Sequence, residues 1–178
     1  MIGIQCNPIK TRDILLSIKP EYVKQIMNGT KKYEFRKRIP KDVTSIDRVY
    51  IYCTAPVSKV VGYFVFDTVL KGCSSDLWMN TVEYSGISVE DFMEYFKGCI
   101  LCYAYRISRV VCFDEPYVLP CHPPQDFMYM TMELRVKMGL DDKCENHPIC
   151  SCCGRYCTDC RLSNMIGYFN ERIERRLI

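Results

Sequence analysis

Three charged side chains near the start of the chain have the types and the spacing for acid–base chemistry. Lys31, Glu34 and Arg36 lie within six residues, directly after Asn28 and Gly29. A lysine close to an arginine can have a lowered pKa, and a neighbouring carboxylate opposes that shift. The same spacing is typical of an exposed strand with cross-strand ion pairs, and spacing alone favours that structural interpretation.

A cluster of thiols near the end of the sequence is the second candidate site. The chain has 13 cysteines, and six of them lie between residues 144 and 160 together with one histidine. Tetrahedral zinc takes four such ligands, and cysteines separated by two residues can bind one ion because a tight turn brings their sulfurs together. The sequence predicts a structural zinc ion with the ligands Cys150, Cys153, Cys157 and Cys160.

The ligand set of this zinc site stays open, because the cluster has more donors than one ion needs. Cys144 and His147 form an alternative first pair, and Cys152 is a further donor. As a second alternative, part of the cluster fits the iron–sulfur motif of radical enzymes. In those enzymes, however, the motif lies on a much larger α/β barrel. Disulfides would require an oxidising compartment, and exposed free thiols oxidise. Zinc in such a site contributes about 10–16 kcal/mol to folding.

The elements that position the charged cluster follow from hydrophobic periodicity. Residues 13–18 form a short apolar run typical of a buried strand. Pro20 suits the first position of a helix, and Gly29 suits its left-handed C-cap. Residues 31–39 alternate between apolar and charged side chains, which predicts a half-buried strand.

Strict alternation raises a geometric difficulty for a shared site. In a regular strand beginning at Lys31, this lysine points to the face opposite Glu34 and Arg36. The three side chains converge only if the strand is kinked near the turn, or if Lys31 still belongs to the turn. A regular strand from Lys31 onwards would count against a shared site.

The rest of the first 140 residues contains further strands and short helices. Residues 48–54, 60–70 and 100–113 are rich in β-branched and aromatic residues and predict strands. Ser75 and Ser88 are predicted N-caps of two helices between them. This order predicts an α+β fold in which the strands form a small β-barrel flanked by helices. Helical spacing after the cysteine cluster predicts a C-terminal helix.

Composition and charge limit the class of protein and the kind of partner. With 48% hydrophobic and 25% charged residues, the chain is globular rather than disordered. It has no apolar run long enough for a membrane span and no signal-peptide pattern, so we expect a cytoplasmic or nuclear protein without a membrane partner. The net charge is +3, but residues 9–48 contain 11 basic and 5 acidic side chains, which points to an anionic partner.

The pattern G-x-K-x-x-E-x-R, formed by Gly29, Lys31, Glu34 and Arg36, resembles the signature of the ASCH domain family of the PUA-like superfamily. The similarity continues in order through VYIYCTAPVSKVVGYF and DLWMNTVEYSGISVEDFMEYF to PPQDFMYM, and covers roughly residues 13–130. The resemblance implies a PUA-like β-barrel domain over residues 9–135. Residues 140–178 then form an added Cys-rich zinc module with a C-terminal helix.

The resemblance also implies a cleft beside the first helix that binds RNA or a modified nucleoside, with a role in RNA processing or transcription. On this interpretation Lys31 and Arg36 contact phosphate or base, and Glu34 positions them or accepts a base amine. Tyr33 stacks on a base, or packs inwards as tyrosines in strands more often do. Gln125 and Tyr129 are further candidates to line the same cleft, both with weaker support.

Two further functions stay open on the sequence. Some relatives are ribonucleases and others hydrolyse N4-acetylcytidine, and in an enzyme of either kind Lys31 and Glu34 would be the catalytic residues. The deacetylases use a threonine three residues after the motif lysine, where this chain has Glu34, and a carboxylate does not replace a hydroxyl nucleophile. The third hypothesis is an adaptor that binds a protein partner through the zinc module or the terminal helix.

Overall fold

The computed structural model describes residues 2–5 and 12–140, which form seven strands and four helices. The strands are β1 (Ile2–Gln5), β2 (Arg12–Ile18), β3 (Tyr33–Arg36), β4 (Ile46–Cys53), β5 (Lys59–Gly72), β6 (Cys102–Tyr117) and β7 (Met128–Tyr129). The helices are α1 (Pro20–Met27), α2 (Ser74–Thr81), α3 (Val89–Tyr95) and α4 (Met132–Met138), and short 3₁₀ turns lie at Val43–Ser45 and Val82–Tyr84.

The strands form one mixed sheet around the long pair β5 and β6. The order is β3-β6-β5-β4-β2-β7, and β1 pairs with β5 outside this path. The β2–β4 pair is parallel, and the other strand pairs of the described chain are antiparallel. Strands β2 and β4 are joined by a crossover that contains α1 and β3. The candidate residues of the charged cluster therefore lie in this crossover.

The sheet is open, so the predicted closed β-barrel is wrong, whereas the predicted α+β class is confirmed. The two end strands of the path, β3 and β7, do not pair with each other. Within the described part of the chain, strand β7 pairs only with Ile14 and Leu15 of β2. Further along β2, Arg36 Nη2 of β3 donates a hydrogen bond of 2.8 Å to the carbonyl of Ser17. A side chain, rather than a backbone ladder, therefore joins β3 to β2.

Helix α1 lies against the sheet through the apolar stripe that its sequence predicts. Val23, Ile26 and Met27 are buried and pack with residues of β2, β4 and β5. Gly29 has a φ of 77°, which is the left-handed conformation expected at the end of this helix. The helix is thereby held rigidly beside the start of β3.

A smaller apolar cluster fixes β3 from the side of α2 and α3. Phe35 of β3 is buried with Leu77, Phe92 and Phe96, and the Phe35 and Phe92 ring centroids are 4.9 Å apart. The predicted cap of α3 is confirmed, because Ser88 Oγ accepts a hydrogen bond of 3.1 Å from the Asp91 amide. The predicted cap at Ser75 is wrong, since that residue lies inside α2, which begins at Ser74.

Helix α4 is an element that the sequence did not predict. Thr131 caps it through a 3.2 Å hydrogen bond from the Leu134 amide, and Gly139 ends it with a φ of 71°. Its Arg135 Nη1 lies 2.8 Å from Asp13 Oδ2 of β2. Burial raises the pKa of Asp13 even though Arg48 and Arg135 oppose this shift. This ion pair connects α4 to the strand that leads into the crossover.

The predicted zinc ligands Cys150, Cys153, Cys157 and Cys160 and the predicted terminal helix lie outside the described residues. Within residues 2–5 and 12–140 there is no group of three or more side chains that could hold a metal ion. In that same part of the chain, no helix has both the length and the apolar character that a membrane span requires.

Candidate functional site

The turn between α1 and β3 resolves the geometric difficulty posed by strict alternation. The amide of Lys31 donates a hydrogen bond of 3.0 Å to the Gln25 carbonyl of α1. Strand β3 begins only at Tyr33, two residues later than alternation predicts. Lys31 therefore belongs to the turn. Because it lies before β3, strand alternation does not place its side chain on the face opposite Glu34 and Arg36.

The three charged residues line one cleft of about 480 Å³ between α1, β3 and α3. This volume lies within the range of small-molecule sites in proteins. Lys31 lines the cleft from the turn between α1 and β3, and Glu34 and Arg36 line it from β3. The other lining residues are Ser17, Ile18, Lys19, Glu21, Tyr22, Phe35, Lys37, Ile87, Asp91, Glu94 and Tyr95.

Lys31 is only 2% exposed, an unusual environment for a lysine. Its Nζ donates a hydrogen bond to the carbonyl of Ser85 and lies 4.5 Å from the ring centroid of Phe35 and 5.1 Å from that of Tyr22. Burial lowers the pKa of Lys31 from its ordinary value of 10.5 to about 8, with Glu34 opposing the shift and Arg36 adding to it. At pH 7 about a tenth of Lys31 is therefore a neutral amine, far more than for an ordinary lysine, and such an amine can accept a proton.

Gly86 makes room for this lysine. It follows Ser85, whose carbonyl accepts from Nζ, and it has a φ of 63°. A Cβ on Gly86 would lie 2.8 Å from Lys31 Cβ and 2.1 Å from Gln25 Oε1. Real Cβ atoms do not approach other atoms so closely, so only glycine fits at this position without displacing its neighbours.

Glu34 and Arg36 form a buried ion pair beside the lysine. Glu34 Oε1 lies 2.8 Å from Arg36 Nη2, and the two side chains are 7% and 9% exposed. The buried Nε of Arg36 has no hydrogen-bond partner among the described residues. A buried donor without an acceptor is costly, and Arg36 is also one of the residues that line the cleft.

Positive and negative side chains are balanced around the cleft. The basic lining residues are Lys19, Lys31, Arg36 and Lys37, and the acidic ones are Glu21, Glu34, Asp91 and Glu94. Four positive charges therefore face four negative charges. This balance suits a ligand part that carries little net charge, such as a base and its sugar, better than a run of phosphates.

Two of the predicted nucleic-acid-binding residues lie outside the cleft. Tyr33 is partly buried against the apolar cluster of Phe35, Leu77 and Phe92, in agreement with the inward-packing alternative. Gln125 is exposed and does not line the cleft. Their predicted contacts with nucleic acid stay predictions, as does the weaker one for Tyr129.

Several residues of the site were not identified as functional from the sequence. The helical spacing of apolar residues predicts that Tyr22 of α1 and Tyr95 of α3 pack inwards, yet both line the cleft. Ser85 acts through its backbone carbonyl, which no side-chain pattern reveals. The only signal in the sequence was Gly86 directly after Ser85, at the turn that leads to α3.

Comparisons with known proteins agree with this fold. The ASCH domain model matches residues 16–113. A protein of Zymomonas mobilis subsp. mobilis named ASCH domain-containing ribonuclease is 33% identical over an alignment of 134 residues that covers 71% of this chain and 90% of that protein. A large ribosomal subunit protein uL22 of Ureaplasma parvum is 30% identical over 107 residues, but the match spans only 34% of that protein and 60% of this chain.

Solved structures give the same result. The crystal structure of the ASCH protein from Zymomonas mobilis has a TM-score of 0.63 and 26% identity, and covers 71% of this chain and 93% of that chain. A serine-to-alanine variant of it has a TM-score of 0.65 and 27% identity, with 71% and 94% coverage. The family model, the matched relative and the shared fold lead to one conclusion: the chain belongs to the ASCH domain family.

Proposed function

We propose that this chain binds RNA in the cleft between α1, β3 and α3 and cleaves it, with Lys31 as the proton acceptor. The observation that carries the proposal is the environment of Lys31, which is buried, lines the cleft and has a pKa of about 8. A general base is most effective when its pKa lies near the working pH. The ribonuclease name of the 33% identical relative supports RNA as the substrate.

The lining residues suit a transesterification that uses the ribose hydroxyl. The neutral Nζ of Lys31 accepts the proton of the 2′-hydroxyl, and the 2′-oxygen attacks the adjacent phosphorus. The bond from phosphorus to the 5′-oxygen breaks, and the Lys31 ammonium returns its proton to that oxygen. The products are a 2′,3′-cyclic phosphate and a 5′-hydroxyl, and no other reactant is consumed.

Arg36 and Glu34 have separate tasks in this reaction. The guanidinium of Arg36, which lines the cleft, donates to a phosphate oxygen as negative charge develops on it, which is the usual use of a fixed guanidinium. Glu34 holds that guanidinium at 2.8 Å, and the Ser17 carbonyl holds it from β2 at the same distance. Glu34 is therefore a positioning residue, and Lys31 and Arg36 are the proposed catalytic residues.

The experiment compares Lys31→Arg with the wild-type chain on a labelled RNA oligonucleotide. Arginine keeps the positive charge but does not release a proton at working pH. We expect cleavage to fall about 100-fold or more, which is the usual contribution of a general base, while RNA affinity changes little. A 2′-deoxy substitution at the cleaved position should abolish cleavage by the wild-type chain, and the products should carry a cyclic phosphate.

Lys24→Arg is the matched control, because Lys24 is exposed on α1 and does not line the cleft. It should leave binding and cleavage unchanged. Undiminished cleavage by Lys31→Arg would contradict the proposed role of Lys31. RNA binding without cleavage by the wild-type chain would reduce the function to RNA binding, with a role in transcription or RNA processing.

The charge balance of the cleft favours one second candidate, a hydrolase that acts on a modified nucleoside. In that case the attacking group would be water activated by Lys31, because Glu34 occupies the position of the nucleophilic threonine of such relatives. The same variants separate the two functions when N4-acetylcytidine replaces RNA. Release of acetate that requires Lys31, with no cleavage of RNA, would establish the second candidate.

We also propose, from the sequence alone, that residues 140–178 bind zinc through Cys150, Cys153, Cys157 and Cys160. Their spacing of cysteine pairs supports this proposal. A protein partner for that module is an accompanying expectation. Neither proposal affects the cleft, whose described residues all precede residue 140.

A further inference from the structure

A second groove lies beside the cleft and shares Lys37 with it. Its volume is about 570 Å³, and it lies between the segment after β3, the start of β2 and the segment around β7. Lys37 directly follows Arg36 in the chain and lines both cavities. Its Nζ lies 5.1 Å from the ring centroid of Tyr95, which lines the cleft. A ligand that extends from the cleft past Lys37 therefore enters this groove.

The groove carries the positive charge that the cleft lacks. Its basic lining residues are Arg12, Lys37, Arg38 and Lys41, all exposed, against the single carboxylate of Asp42. Arg38 also has a 3.4 Å ion pair with Asp126, but this arginine side chain is 78% exposed. Such an exposed pair has little net stability, so a phosphate can replace the carboxylate at low cost.

Aromatic rings line the same groove. Tyr103 and Phe127 are half-buried and Tyr129 is exposed, and the Phe127 and Tyr129 rings meet edge to face at 5.8 Å. The guanidinium of Arg12 lies 5.5 Å from the centroid of Tyr129. Exposed rings next to basic side chains are the combination with which proteins bind bases and phosphates of a flexible strand.

We propose that this groove binds the nucleotides adjacent to the one in the cleft. Arg12, Lys37, Arg38 and Lys41 contact their phosphates, and Tyr129 stacks on a base. The inference rests on the proposed function and deepens it, because it makes the ligand an RNA chain of several nucleotides rather than a free nucleoside. The cleft then binds the reacting nucleotide, and the groove binds the adjacent, negatively charged part of the strand.

The test removes two charges from the groove with the double variant Arg38→Gln/Lys41→Gln. The matched control is Lys24→Gln/Arg109→Gln, which loses the same charge from exposed residues that line neither cavity. Both pairs are made in the Lys31→Arg background so that the RNA stays intact. Affinity is measured by fluorescence anisotropy for a labelled mononucleotide and for oligonucleotides of about 2 to 12 nucleotides, a span comparable with known single-strand sites.

With an intact groove, we expect affinity to rise at least 10-fold between the mononucleotide and the longer oligonucleotides, a gain equivalent to about one stacked base. The groove variant should lose most of this gain and keep the mononucleotide affinity. Its plot of log affinity against log salt should also become shallower by about 1.4, since each phosphate contact with a single strand contributes about 0.7. The control should retain both the gain and the slope.

Two results would overturn the inference while the proposed function survives. One is an unchanged length dependence in the groove variant, and the other is an equal loss in the control, which would indicate general attraction by net charge. Both can occur with cleavage by the wild-type chain intact. A wild-type chain that neither binds nor cleaves RNA of any length fails the proposed function itself, and the two failures are thereby distinguished.

Discussion

At the scale of single residues, Lys31 is the feature that distinguishes this site from an ordinary charged strand. Its amine is held by the Ser85 carbonyl and lies over the ring of Phe35, and only 2% of the residue is exposed. Such burial disfavours the charged form, and the nearby charges of Glu34 and Arg36 act in opposite directions on it. The reactivity of Lys31 is therefore set by its surroundings rather than by its residue type.

The first prediction concerns the pH dependence of RNA cleavage. A base must be deprotonated to act, and Lys31 has a pKa of about 8, so the rate should rise with pH and level off above about 8. Glu34 raises and Arg36 lowers the pKa of Lys31, so Glu34→Gln should move the midpoint to lower pH and Arg36→Met should move it to higher pH. The measurement is kcat/KM across pH for the three proteins.

Lys32→Gln serves as the control for this prediction, because Lys32 is exposed beside Lys31 and does not line the cleft. It should leave the midpoint where it is. Equal midpoints in Glu34→Gln and Arg36→Met, or shifts in the same direction, would show that the titrating group is not Lys31 in its ion-pair environment.

At the scale of elements, the site depends on α1, β3 and the segment from Val82 to α3 meeting at one place. Helix α1 positions the turn, β3 presents Glu34 and Arg36, and the segment with Ser85 and Gly86 covers the lysine. Phe35 connects β3 to α3 through its contact with Phe92. A change in any one of these contacts alters the others, because they share the same small volume.

The second prediction compares Gly86→Ala with Gly98→Ala. Both glycines have a positive φ, 63° and 77°, so each alanine has a backbone cost of about 1–2 kcal/mol. At Gly98 nothing lies within 4 Å of the added Cβ, whereas at Gly86 it meets Lys31 Cβ at 2.8 Å. Gln25 can move its side-chain end aside, but Lys31 Cβ is attached to the backbone of the turn.

Gly86→Ala should therefore lose about 2–4 kcal/mol in urea unfolding, because overpacking adds to the backbone cost, and it should also change the pH profile of cleavage. Gly98→Ala should show only the backbone cost and an unchanged profile. If the two variants behave alike, the close packing of Gly86 against Lys31 does not matter for the site.

The sequence predicted an element well where the hydrophobic periodicity and the cap residues of that element lie within a single segment. Strand β2 and helix α1 begin within one residue of their predicted positions, and the charged motif was found by its spacing. Helix α4 was missed because it follows a proline-rich stretch with no strong periodicity. The position of Lys31 in the turn depends on its bond to Gln25, and barrel closure depends on two strands far apart in the chain. Such contacts leave no local pattern.

At the scale of the whole molecule, charge is distributed unevenly between a balanced cleft and a basic groove. Among the described cysteines, Cys53 and Cys102 are buried whereas Cys73 and Cys121 are exposed, and none of these four is in a disulfide. Burial raises the pKa of Cys53 to about 12 and that of Cys102 to about 11, so both stay protonated. Cysteines outside the cluster at residues 144–160 therefore belong to the core in some cases and to the surface in others.

The third prediction is that the purified chain, prepared without chelator, contains about one zinc ion, the number that four ligands hold. Cys150→Ser and Cys157→Ser should each reduce the metal content strongly. Cys121→Ser is the control, an exposed cysteine outside the cluster, and should leave it unchanged. Metal content is measured by elemental analysis of the full chain, and a wild-type chain without bound metal would refute the zinc proposal.

The parallel pairing of β2 with β4 has a consequence for how the chain acquires activity. The antiparallel pair β4 and β5 is joined by a short turn, so its ends meet at little entropic cost. Formation of the cleft instead requires two pairings between segments that are distant in sequence. Strand β2 must pair with β4 across the whole crossover, and Tyr33 of β3 must pair with Arg106 of β6. Pairings between distant segments form slowly. During refolding, much of the sheet signal should thus return before any catalytic activity does.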